Sequence, residues 1–395
     1  VPVGAYLSGG LDSSATAALA HPLGEGVLNT YGLGFTTEGY DESSWQDKMV
    51  DHLDVKHRAV HVDSNDVVNR FRQVPWHAET PMTRAAPGPL MALSSHVHNL
   101  DCKVVLTGEG ADEVFVGYNI FREAKVRNFW SRVPHSQSRP LLLNRLYPYV
   151  EKPPLSFLRR FFGRDLTNTT DPLYSHRPRW HNTTAAGFLV NEARVGTAPG
   201  EAEERIVGSL PAEFTTWGPV AKAQYLEMTL FMSGYLLSTQ GDRMLMANSV
   251  EGRFPFLDHK LVEYAATIPA SAKLQSLREK AILRKSVTGL VPDEIVNRSK
   301  HPFRAPGNVS FETPSGQAMV EEFLAADGPG WELWQRAKVE ALVTKWRAGR
   351  LQSTRDDMSF LAVLSGRILQ AEFGANFEQR MAQLTLQPNQ IIWRQ

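Results

Sequence analysis

The chain has 395 residues, 42% hydrophobic and 21% charged, with 42 basic side chains against 42 acidic ones. That length predicts one large α/β domain with a helical annex, or two domains, and the composition excludes a disordered or fibrous chain. Zero net charge gives no reason to expect a nucleic-acid or membrane partner.

In chain order, residues 1–7 read as a strand running straight into a glycine loop. Domains seldom open on a fully formed central strand, so a partner domain is expected upstream. An Ala-rich helix follows over 12–19, then a strand over 28–35 and a helix over 42–53. Residues 56–62 alternate with period two, which predicts a strand. His57 and His61 would lie about 13 Å apart on it, too far to share a metal. Helices are expected over 67–74 and 90–100, and a short buried strand over 103–107. Alternating units of this kind imply an α/β fold with a doubly wound parallel sheet, whose ligands sit beyond the carboxyl ends of the strands.

This core is expected over 1–122, followed by an irregular, partly helical insertion over 123–220. A helical part over 221–308 and a C-terminal helical extension over 309–395 complete the expected division. Cys102, the only cysteine, excludes an internal disulfide and reads as a small buried hydrophobe. No apolar run is long enough to span a bilayer and no signal peptide opens the chain, so cytoplasm is the expected compartment.

Two loops carry chemistry. In Ser8-Gly9-Gly10-Leu11-Asp12-Ser13-Ser14 the paired glycines let backbone approach an anion, and Ser13 and Ser14 open a helix whose free N–H groups favour phosphate. The loop has no lysine, so it is not a P-loop. Asp12 in such a cradle implies an intervening divalent cation, Mg²⁺. The second loop, Thr107-Gly108-Glu109-Gly110-Ala111-Asp112-Glu113, also follows a strand. Asp112 is a candidate partner of Asp12 on the metal, and Glu109 is placed to take a proton.

Together these loops resemble the PP-loop ATP pyrophosphatases. Further motifs resemble the asparagine synthetases: residues 241–258, Glu279-Lys280-Ala281-Ile282-Leu283-Arg284, Leu290-Val291-Pro292-Asp293, and Arg298-Ser299-Lys300-His301-Pro302-Phe303. The resemblance implies that ATP adenylates a carboxylate and that ammonia captures the acyl-adenylate, giving an amide, AMP and pyrophosphate. Carried over, Ser8, Gly9, Gly10, Asp12 and Ser13 would bind pyrophosphate and its metal. Leu7, Leu33, Thr107 and Gly108 would contact adenosine through their backbones, and Asp12 and Asp112 would ligate Mg²⁺. Glu109 would accept a proton and Lys280 would stabilise phosphate charge. Arg84 and Asp258 are the candidate substrate contacts.

The resemblance also implies an N-terminal glutaminase domain, absent from this chain, as the ammonia source unless free ammonia serves; it leaves room for a homodimer. Residues 79–89 keep Arg84 but otherwise depart from the usual substrate-holding stretch, and Val116 stands where a glycine is common. Aspartate is the leading acceptor. A specialised amide-, lactam- or peptide-ring-forming relative acting on another carboxylate is the alternative; Tyr118 and Tyr235 are the tyrosines available to such chemistry.

Overall fold

The computed structural model describes residues 1–24, 28–147, 153–184, 186–191, 196, 200–325, 327 and 330–383. Parts of the expected insertion (148–152, 185, 192–195, 197–199) and the end of the expected C-terminal extension (384–395) lie outside the described residues.

Five parallel strands make one sheet in the order β3-β2-β1-β4-β5: β1 Val3–Tyr6, β2 Asn29–Phe35, β3 Lys56–Val62, β4 Val104–Leu106 and β5 Glu251–Arg253. Helices α1 Leu11–Ala20, α2 Ser43–Leu53, α3 Ser64–Ala78 and α4 Pro87–Asn99 alternate with the first four strands. Successive side chains of a strand point to opposite faces. Ala5, Leu7 and Leu106 accordingly pack with Ala15, Met49 and Val114 on one face, while Tyr6 and Val105 pack with Leu93, Val97 and Cys102 on the other. Both faces are buried, as a parallel sheet requires. Cys102 is 3% exposed, as a small hydrophobe should be.

The chain winds outward from β1 through β2 to β3, then returns to place β4 on the other side of β1. Between β1 and β4 the direction of winding reverses, which leaves a crevice at their carboxyl ends. Both glycine loops open there. Strand β5 interrupts the helical stretch expected over 220–290. It pairs with β4 from Val104↔Glu251 to Leu106↔Arg253, and three residues are too few to carry a period-two signal.

The chain divides into two compact units. The first comprises Val1–Asp63, Pro89–Ala185 and Thr197–Ala305 and contains the sheet. The second comprises Ser64–Gly88, Ala186–Gly196 and Pro306–Gln395. Its core is aromatic: Phe311 meets Phe71 edge-on at 5.2 Å and Phe360 at 5.6 Å, and Trp346 stacks on Phe360 at 5.4 Å. No helix among the described residues is long and apolar enough to cross a membrane.

Candidate active site

The first loop gets its shape from its small residues. Gly9 has φ +67°, and a Cβ there would lie 2.4 Å from the Trp45 backbone, so only glycine fits. Ser13 Oγ accepts from Ser8 N–H at 3.1 Å and lies 2.9 Å from Ser8 Oγ, which ties the loop to the first turn of α1. In the second loop Gly108 lies against that same turn; a Cβ would stand 2.8 Å from Ser13 N. Helix α5 (Ala111–Phe115) then carries Asp112 and Glu113 inward.

The two loops wall one cavity in the first unit. Leu7, Ser8, Asp12, Ser13, Leu33, Thr107, Gly108, Glu109 and Asp112 all line it, with Tyr31, Phe35, Leu90 and Leu93 on its apolar side and Lys300, His301, Phe303 and Arg304 at another wall. Nine of the residues singled out in the sequence therefore meet at one place. Gly9 and Gly10 shape the loop behind them. Arg84 is exposed and belongs to the second unit. Asp258 is exposed too; it caps the helix His259–Thr267, accepting from the N–H groups of Lys260 at 3.0 Å and Leu261 at 3.3 Å. Neither Arg84 nor Asp258 lines the cavity.

Lys280 is only 1% exposed, and its Nζ lies 2.7 and 2.6 Å from the two Asp12 oxygens and 2.5 Å from Asp112 Oδ1. Its backbone is left-handed, φ 51°, at the start of the helix Ala281–Ser286. Such a conformation persists only where the surroundings hold it. Here the hold is Glu279, 3% exposed, which pairs with Arg122 at 2.9 Å and Arg284 at 2.6 Å and also accepts from Lys300 N–H at 3.3 Å. The Glu-Lys-x-x-Leu-Arg spacing thus closes on itself, since Arg284 reaches back to the Glu279 side chain and to its carbonyl at 2.9 Å.

Lys300, within the Arg298–Phe303 motif, is a further site residue that the sequence reading does not name as such. Its Nζ is 2.5 Å from Asp112 Oδ2 and 3.8 Å from Asp12 Oδ2, and it lines the cavity, which Lys280 does not. Two ammonium groups and two carboxylates therefore interlock at the floor of the crevice. Gly117 is a second residue that sequence reading passed over. A Cβ on it would sit 2.0 Å from Asp112 Oδ1 and 2.1 Å from Lys280 Cε. Val116 before it is fully buried with φ 62°, a conformation that is costly for a β-branched residue and free for glycine.

Burial pushes the Glu109 carboxyl up, the Lys300 ammonium lowers it, and nearby Asp112 raises it again, leaving it at about 7. Burial also raises Glu113, with Asp112 adding to the effect, to about 8; Tyr118 Oη donates to Glu113 Oε1 at 2.8 Å. Burial acts to raise Asp112, but Lys280 and then Lys300 override it and hold the group below the usual carboxylate range. For Lys300 burial acts to lower the ammonium, and Asp112 and Asp12 override it upward. One crevice therefore holds a carboxyl poised near neutrality beside a locked charge cluster, which makes Glu109 a candidate proton acceptor.

Among the described residues no group of three or more His, Cys, Asp and Glu is arranged to hold a metal. Asp12 and Asp112 share the Lys280 ammonium, at 2.6 and 2.5 Å; their hard oxygen donors would suit Mg²⁺ if phosphate oxygens completed its shell. His57 instead bonds to Thr30 Oγ1 at 3.0 Å and to Gln46 Oε1 at 3.2 Å.

The family model for asparagine synthase matches residues 1–373. The chain belongs to the asparagine synthase family. The chain is similar to the amidase chry2 of Gibberella zeae, 32% identical over 78% of this chain and 49% of its own length. A putative glutamine-hydrolyzing asparagine synthetase of Mycobacterium tuberculosis is 31% identical over 78% of this chain and 45% of its own length. The amidase chyE of Penicillium rubens is 31% identical over 78% and 49%. The asparagine synthase-family chain thus spans about half the length of the curated relatives it matches.

Proposed function

We propose that this chain catalyses ATP-dependent amide synthesis, with aspartate as the leading acceptor. One observation carries the reading: both glycine loops, Asp12, Asp112, Lys300 and Glu109 converge on the crevice where the winding of the sheet reverses. A carboxylate oxygen of the acceptor attacks the α-phosphorus of ATP, and pyrophosphate leaves. Ammonia then attacks the acyl carbon, and AMP leaves with the electron pair of the broken acyl–oxygen bond.

The backbone N–H groups of Gly9, Gly10 and the first turn of α1, with Ser8 and Ser13, hold the pyrophosphate. The Leu7, Leu33, Thr107 and Gly108 backbones hold adenosine. Asp12 and Asp112 would hold Mg²⁺, which when bound supplies charge neutralisation on the departing pyrophosphate. Lys300 from the cavity wall and Lys280 from beneath the carboxylates stabilise the charge that builds as the phosphoanhydride breaks. Amine attack leaves a cationic nitrogen, and Glu109, poised near neutrality, takes its proton.

The matched relatives include two proteins named as amidases, and this favours a second reading in which the acceptor is a carboxylate other than aspartate. In either case glutamine hydrolysis elsewhere in a longer protein, or free ammonium, supplies the nitrogen. The test is to incubate the chain with ATP, Mg²⁺ and ammonium against a panel of carboxylic acids and assay AMP and pyrophosphate. Asparagine formed from aspartate supports the first reading, and turnover with another acid alone supports the second. ADP and phosphate as products would contradict both.

A further inference from the structure

Arg298 makes one contact with the glycine loop and two with residues beside it. Its Nη1 donates to the Gly9 carbonyl at 3.3 Å, its Nη2 pairs with Glu42, and its guanidinium lies 4.5 Å over the Trp45 ring. Trp45 is the residue whose backbone a Gly9 side chain would strike. The Arg298 backbone is itself pinned, because Arg284 Nη1 donates to its carbonyl at 2.9 Å. From these contacts we infer that Arg298 is a positioning residue that sets the orientation of the Gly9–Gly10 peptide and so turns the loop into an anion cradle. The inference rests on the proposed reading that this loop receives pyrophosphate.

A planar trans peptide points its carbonyl and its N–H in opposite directions. Glycine populates φ above and below zero with similar ease, so a Gly-Gly peptide can turn either face inward at little cost. With the carbonyl inward the loop would repel phosphate; with the N–H inward it would attract it. Arg298 holds the Gly9 carbonyl outward. The Gly10 N–H then points to the cavity side, where it donates to Ser8 Oγ at 3.3 Å, and Ser8 lines the cavity. The same guanidinium neutralises Glu42, another lining residue, whose bare carboxylate would oppose an incoming polyphosphate. Arginine is the side chain suited to this task, since a planar fork can serve a carbonyl and a carboxylate together while its face stacks on an indole.

The test compares wild type with Arg298→Gln and Arg298→Lys, measuring the binding of two probes by calorimetry: magnesium pyrophosphate and adenosine. Losing a charge-assisted hydrogen bond that biases the loop should weaken pyrophosphate binding by roughly ten- to a hundredfold in Arg298→Gln. Adenosine affinity should stay within about twofold, because among the described residues the side-chain contacts of Arg298 go to Gly9, Glu42 and Trp45 rather than to Leu7, Leu33, Thr107 or Gly108, and that retention shows the pocket remains folded. Arg298→Lys keeps the charge and should recover part of the pyrophosphate affinity. Equal loss for both probes would mean a merely structural role and overturn the inference, as would unchanged pyrophosphate binding in Arg298→Gln. Failure of wild type to bind magnesium pyrophosphate would instead overturn the reading of the loop itself.

Discussion

Replacing Gly117 with alanine adds one carbon where the structure has no space. The new Cβ would stand 2.0 Å from Asp112 Oδ1 and 2.1 Å from Lys280 Cε, well inside the 3.0 Å that real Cβ atoms respect. Each neighbour must retreat by about 1 Å, but neither is free to do so. Asp112 Oδ1 is held by Lys280 at 2.5 Å and Oδ2 by Lys300 at 2.5 Å, and Lys280 is itself locked between Asp12 and Asp112. The expected cost in stability is about 1–3 kcal/mol, the usual range for overpacking a filled site. A displacement of about 1 Å in a positioned catalytic group lowers turnover by roughly a hundredfold. A continuous pyrophosphate-release assay, run beside thermal unfolding, reads both. Gly234→Ala is the control: that glycine is exposed in a helical segment and nothing lies within 4 Å of its added Cβ. Its expected effect is neutral or mildly stabilising. If Gly117→Ala loses no more activity than Gly234→Ala, the ion cluster is not the catalytic floor described above.

Glu109→Gln should retain ATP binding and lose amide formation by about 10²- to 10⁴-fold, the usual contribution of a general base, measured by single-turnover product analysis. In wild type the base form of Glu109 is lost as pH falls through about 7, so at a fixed concentration of free ammonia amide formation should drop tenfold per pH unit below that point, and the substitution should abolish this limb. Glu279→Ala leaves the guanidinium groups of Arg122 and Arg284 buried and unpaired, with an expected cost of about 3–5 kcal/mol seen as a lower unfolding temperature. Asp258→Ala should cost about 1 kcal/mol as a lost helix cap and leave the acceptor KM unchanged; a large rise in that KM would make Asp258 a substrate contact after all.

The first four strands could be read from sequence because β2 and β3 are seven residues long and the short β1 and β4 are apolar runs that lead straight into glycine loops. Both glycine loops could be placed on the carboxyl edge of the sheet because each sets glycines and polar or acidic residues at adjacent positions directly after a strand. What escaped depends on contacts between residues far apart in the chain. Lys300 looks like any surface lysine until the turn after Asn297 brings it to Asp112, 188 residues away. Gly117 carries no signal because its necessity lies in side chains that arrive from elsewhere. Glu279 and Arg284 belong to one motif, yet their hold on the Glu279 and Arg298 carbonyls and on the Lys300 N–H shows only in the folded chain. Asp258 followed from its place at the end of a signature, and local helix capping is what its side chain does.

The central claim is that the acceptor carboxylate is adenylated and that an amine then displaces AMP. Isotope transfer tests it most directly: supply the accepted acid with ¹⁸O in the reacting carboxyl group, together with ATP, Mg²⁺ and ammonium, and analyse the AMP by mass spectrometry. Because the attacking oxygen stays on the α-phosphorus when the amide forms, the account predicts one ¹⁸O per AMP. Label appearing in inorganic phosphate beside ADP, or unlabelled AMP beside labelled amide, would contradict it.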